Sequence, residues 1–146
     1  MNTKIDLTER IAFHSEGISF VLPEEDNIRN WIANIIEAEN CVLQQLNFVF
    51  CSDQYLHKIN LEYLNHDTYT DIITFPYSEG KIVESDIFIS VDRTTENAKT
   101  YDVEPLHDLH RVIIHGVLHL VGYGDKTAEE KTLMRQKEDE ALAKLT

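Results

Sequence analysis

The chain lacks most of the features that would place it in a special class. Only two of its 146 residues are cysteines, too few for a disulfide scaffold. Cys41 and Cys51 flank a stretch that reads as a strand, and the ends of an extended strand lie too far apart to bridge. Both are expected to be free thiols, as in a cytoplasmic protein, and their spacing is not that of a zinc knuckle. Five glycines and three prolines leave no room for a linker or a low-complexity tract. No apolar run can span a bilayer: the longest, Val112 to Val121, is short and contains two histidines. Met1 to Asp6 shows no apolar signal region, so no membrane association is expected. Positive charge is also scarce. Thirteen Lys and Arg face 26 Asp and Glu, for a net charge of −13. That argues against broad, sequence-independent binding to nucleic acid.

What remains is ordinary globular composition, with 42% hydrophobic and 27% charged residues. A chain of this length buries a core without a structural metal, so a metal site here points to chemistry. The charge is uneven. Residues 1–90 carry 5 basic and 15 acidic side chains, whereas residues 91–137 carry 7 and 8. The second part is the less hostile to a polyanion, which permits an RNA substrate without demanding one.

The pattern predicts one α+β domain over residues 1–146, with about four strands in a mixed sheet and helices packed on it. Ile18 to Leu22 reads as a short strand. Pro23-Glu-Glu-Asp opens a helix carrying Ile28, Trp31, Ile32, Ile35 and Ile36 at helical spacing. Cys41 to Phe50 reads as a strand, and Ser52 as the cap of the next helix. Asp71 to Phe75 and Ser85 to Val91 read as a hairpin pair around a loop with Gly80. A short helix is expected over Arg93 to Lys99, and another from Pro105 to Val121. Thr127-Ala-Glu-Glu fits a capping box and opens the last helix.

The informative segment is His115-Gly-Val-Leu-His119-Leu-Val-Gly122-Tyr-Gly-Asp125. Helical positions i and i+4 lie on one face, one turn apart, so two imidazoles can meet one ion. Gly122 can take positive φ and turn the chain, which lets Asp125 return as a third ligand. Two histidines and a carboxylate with an open fourth position form a known catalytic zinc arrangement. The spacing is that of the extended zincin motif, with Asp125 in place of the third His. Gly116 stands where metalloproteases carry their general base, which opposes a peptidase. His110 lies about 140° around the helix from His115 and is expected at the surface. His107, His14, His57 and His66 have no partner at useful spacing.

On these residues the chain resembles the YbeY-type endoribonucleases, whose signature is H-G-x-L-H-L-x-G-Y-D-H. Arg111 matches the family's Arg four residues before the first His. Leu64-Asn65 and Thr70-Asp71-Ile-Ile-Thr74-Phe75-Pro76 resemble its LN…TDVLSFP blocks, and Ser85-Asp86-Ile-Phe-Ile-Ser resembles its GDI strand. The match runs in order from about Phe48 to Leu142. Two positions depart. Asp125 stands where the family has its third His, with Gly124 where it has Asp. His66 to Thr70 contains no Arg, whereas the family carries one there that contributes to activity on RNA. That role would pass to Arg111, Lys126 or His66.

The resemblance implies a metal-dependent, single-strand-specific endoribonuclease of ribosomal RNA maturation and ribosome quality control. It implies Zn2+, one ion per chain, on His115, His119 and Asp125, and catalytic roles for Arg111 and Asp71. Single-stranded RNA, ribosomal RNA, the small ribosomal subunit, and a ribosomal protein or assembly GTPase are the implied partners. The attacking group is either water or a ribose 2′-hydroxyl. Arg111 is alternatively structural, packed beside its helix, and Asp71 is alternatively a carboxylate that orients a histidine. A rival reading is a ribosome-assembly factor whose metal is structural. A small zinc peptidase is the third.

Overall fold

Alternating burial builds the sheet. In β2 (Val42–Cys51), Leu46, Phe48 and Phe50 are buried, while Asn47 and Val49 between them are half-buried. β4 (Ile82–Ser90) repeats the pattern with Val83, Ser85, Ile87 and Ile89. Such period-two rows face one layer of packing. The computed structural model describes residues 6–145, so the reading of residues 1–5 lies outside them. Among the described residues β1 (Ile11–Glu16) and β3 (Ile72–Pro76) complete a single sheet of order β1-β2-β4-β3. β1 and β4 run parallel to β2, and β3 is antiparallel to β4. The mixed four-stranded sheet and the β3–β4 hairpin are as expected.

Among the described residues six helices surround it: α1 (Leu7–Arg10), α2 (Glu25–Ala38), α3 (Asp53–Leu64), α4 (Val91–Thr100), α5 (Pro105–Leu120) and α6 (Ala128–Lys144). The core joins the inner faces of α2 and α5 to the row Leu46, Phe48, Phe50, Ile87 and Ile89. α3 lies on the other face, where Leu56 packs with Cys51 and Ile73. Caps set the helix starts. Ser52 accepts from the Tyr55 N–H, and Ser90 accepts from the Arg93 N–H. The Thr127–Glu130 capping box is present at α6. Both cysteines are free. No helix among the described residues is long and apolar enough to cross a membrane.

Two expectations are corrected at the start of the chain. Residues 18–22 form no strand; the strand is Ile11–Glu16. Ile11 and Phe13 align with Leu46 and Phe48 of the parallel neighbour, so long-range pairing selects this segment. Pro23 is not in the first turn of α2. Glu24, at φ 55°, is the cap residue and the helix begins at Glu25. The short helix before α5 is longer than expected and follows β4 directly.

Candidate metal centre

α5 forms because Pro105 opens it without losing a needed N–H, and because Leu109, Val112, Ile113, Val117 and Leu118 bury a continuous stripe. Its closeness to the sheet depends on Gly116. A Cβ there would stand 2.8 Å from Ile72 Cδ1 and 3.7 Å from Thr74 Cγ2. Position 116 therefore faces the sheet and has no room for a base. α5 ends where Gly122, at φ 115°, turns the chain. The Tyr123 N–H then donates to Leu118 O at 3.0 Å. Gly124 lies so close to Glu130 that a Cβ would collide with its carboxylate. That carboxylate accepts from the Lys126 and Thr127 N–H groups at 3.1 and 3.0 Å. The turn after α5 is thus fastened to the start of α6, with Asp125 inside it.

His115, His119 and Asp125 converge. His119 Nε2 lies 3.1 Å from His115 Nε2 and 3.1 Å from Asp125 Oδ2, and His115 Nε2 lies 3.4 Å from Asp125 Oδ2. All three atoms fall within 4.8 Å of one another. Donors about 2.0–2.1 Å from a tetrahedral zinc stand about 3.3–3.4 Å apart, so the triangle fits such an ion. Three lone-pair atoms facing one point also repel one another unless a proton or cation lies between them. The donor set, two imidazoles and one carboxylate, suits zinc chemistry.

The structure brings in a residue that the sequence reading did not single out. Glu138 of α6 is buried, with Oε2 2.7 Å from His115 Nδ1. It fixes the imidazole so that Nε2 points at the other two ligands. Burial opposes charge on His115, but the hydrogen bond and charge of Glu138, joined by Asp125 and Asp71, hold its pKa above the usual value. Burial opposes ionisation of Glu138 as well. Its bonds to His115 and Arg111 outweigh burial and hold it low. Nothing local in α6 marks this position, because acids and bases run all along that helix.

The other expected residues separate. Arg111 donates from Nη1 to Glu138 Oε1 at 2.8 Å and from Nη2 to Asp139 Oδ1 at 2.7 Å. Asp71 stands at the start of β3, where its carbonyl accepts from the Ser90 N–H. Burial raises the Asp71 carboxyl, against the nearby charges of His115 and Arg93. Asp108, in the first turn of α5, is buried, and its Oδ2 has no hydrogen-bond partner among the described residues. Burial and then Asp71 raise it. His110 is not a surface residue. It is half-buried with its ring edge against Trp31, and burial lowers its pKa. Its position opposite the ligand face points it inward between α5 and α2. Leu64 and Asn65 close α3, with Asn65 as its left-handed cap.

Comparison with known proteins follows the same lines. Residues 11–146 match the family model described as Endoribonuclease YbeY. A curated relative from Christiangramia forsetii, named Endoribonuclease YbeY, is 52% identical over 133 residues, covering 91% of this chain and 92% of its own. One of the same name from Amoebophilus asiaticus is 52% identical over 129 residues, covering 88% of each chain. A Thermotoga maritima protein solved in solution superposes with a TM-score of 0.67 at 24% identity, over 92% of this chain and 88% of its own. That last likeness concerns the fold alone.

Proposed function

This chain belongs to the YbeY family of endoribonucleases, and on that premise we propose that it cleaves single-stranded RNA in ribosomal RNA maturation. His115, His119 and Asp125 would hold one divalent ion, zinc by preference. The observation that carries this reading is the convergence of their three donor atoms at 3.1–3.4 Å. When bound, such an ion would polarise a phosphate oxygen and acidify water.

The remaining roles belong to the chain itself. Glu138 holds His115 in the ligating tautomer, and Arg111 holds Glu138. Arg111 is thus assigned a positioning role, because both of its terminal nitrogens are already bonded to carboxylates. Asp71 is the candidate proton acceptor. Its burial raises its affinity for a proton, and it lies within electrostatic reach of His115. The peptidase reading loses its base for a steric reason, since position 116 is filled by the sheet.

The test is cleavage of a fluorescent single-stranded RNA by the metal-replete protein and by His115→Ala, purified identically. Wild type is expected to cut at least ~100-fold faster, the scale of losing a metal-assisted step. Equal rates would remove the nuclease reading. The net charge of −13 favours a second reading, an assembly factor with a structural metal. It predicts a large fall in melting temperature on chelation, with ribosomal RNA processing unchanged by ligand substitution.

A further inference from the structure

Phosphodiester cleavage would bring negative charge to a group where the carboxylates of Asp125 and Glu138 already stand 3.4 and 2.7 Å from His115. A cation positioned for that charge is a general requirement of such sites. Arg111 is poorly placed to meet it. Its side chain is 17% exposed, and two carboxylates, Glu138 and Asp139, already surround it.

Arg93 is placed differently. It lies in the first turn of α4, immediately after β4. Its side chain is 36% exposed and is bonded, among the described residues, by one carboxylate only. Nε and Nη2 donate to Asp53 at 3.3 and 2.7 Å, which leaves Nη1 with no hydrogen-bond partner among the described residues. The guanidinium carbon lies 5.7 Å over the Tyr69 ring. Tyr69 is also stacked on His57, with centroids 4.2 Å apart at 17°. His57 Nε2 meets Asp67 Oδ1 at 2.8 Å. The buried Asn60 amide donates to Thr68 O and Oγ1 at 3.0 and 3.2 Å. The loop from His66 to Thr70 is therefore fastened at Asp67, Thr68 and Tyr69. It delivers Asp71, whose carbonyl accepts from the Ser90 N–H at 2.9 Å, at the cap of α4. The next residue, Ile72, has the Cδ1 that crowds position 116 of α5, one residue beyond His115.

We propose that Arg93 receives an RNA phosphate beside the His115–His119–Asp125 group. Asp53 and Tyr69 hold its guanidinium in orientation, and its free edge faces the substrate. The assignment rests on the endoribonuclease reading and supplies that reading with the cation that the loop itself lacks. A planar guanidinium held this way offers two parallel N–H groups to phosphate oxygens, which a lysine does not.

The test uses metal-loaded protein and a fluorescent single-stranded 2′-O-methyl RNA, with binding followed by anisotropy from low to physiological salt. Arg93→Met is expected to weaken binding about 5–30-fold and to flatten the slope of log K against log salt by about 0.7, the value for one lost contact on a single strand. Lys99→Met removes the same charge at the far end of α4 and is expected to leave both unchanged. Melting temperatures are recorded for each variant, because loss of the Asp53 pair can loosen α3 from α4. If Arg93→Met folds poorly, Arg93→Lys decides. It keeps the charge and is expected to raise KM for RNA with kcat within about twofold. An unchanged salt slope in folded Arg93→Met overturns the assignment, as does a loss that follows Lys126→Met instead. RNA binding by no form of the protein would overturn the endoribonuclease reading together with this one. Wild-type binding that ignores Arg93 overturns this one alone.

Discussion

Between α5 and α6, His115, Glu138 and Arg111 each have a counter-charge at hydrogen-bond distance. His115 meets Glu138, Glu138 meets Arg111, and Arg111 meets Asp139. In a second region, the loop before β3 and the start of α4 carry Tyr69, Asp71 and Arg93. There one arginine has, among the described residues, one carboxylate and a free edge. The first region has its charges paired to one another, which suits holding a cation in fixed geometry. The second keeps part of a guanidinium unpaired among the described residues, which suits receiving an anion that comes and goes. The two arginines therefore suit different work, and the difference lies in how many carboxylates already hold each.

That contrast can be broken at the paired region first. Gly116→Glu would push a carboxylate into Ile72 and Thr74. It is expected to cost about 4 kcal/mol or more, read as loss of soluble protein or of cooperative unfolding. Gly116→Ala is the milder control, since the atom it meets is the mobile end of Ile72. Glu138→Gln comes next. It keeps the shape and removes the charge that orients His115, so zinc affinity is expected to fall about 10–100-fold by competition titration. An unchanged affinity would mean that the α6 wall is not part of the metal centre.

A pH series sharpens the comparison, because protons and metal compete for the paired region. His115 has a pKa raised above the ordinary 6.5. In metal-free protein its contribution to stability is full below about 6.5 and is lost as pH rises through the raised value. Glu138 is held below its ordinary 4.5, so its contribution is present above that value and lost as pH falls through the lowered one. Metal binding needs His115 deprotonated, so metal affinity should rise over the range where metal-free stability falls. Melting curves with and without chelator should therefore diverge as pH increases. The smallest effect is expected at the fastening between the two helices. Thr127→Ala should cost about 1 kcal/mol, with zinc affinity nearly unchanged.

Much of the paired region was legible in the sequence. The α5 helix, its two histidines, the Gly122 turn, Asp125 and the Thr127 capping box all depend on residues within a few positions of one another. Local periodicity and cap chemistry are sufficient for such features. Glu138 was not legible, because it reaches His115 from 23 residues away and lies on a helix with charges on every side. The same holds for β1. Ile18 to Leu22 has the better local look of a strand, but Ile11 to Glu16 is the segment that pairs with β2. The second arginine was hidden for a related reason. Arg93 lies 22 positions beyond Asp71 in the chain, and only the β3–β4 pairing brings the two elements together. His110 was misjudged because the angular argument separated it from the ligands without asking what lay on its own side, which is Trp31.

The most direct test is the metal content of purified wild type and His119→Ala after equilibration with zinc and removal of excess, measured by elemental analysis on folded protein. The account predicts one ion per chain in wild type and less than about a tenth of that in the variant, because two remaining donors bind far more weakly than three. Equal zinc in both, or none in either, would contradict it.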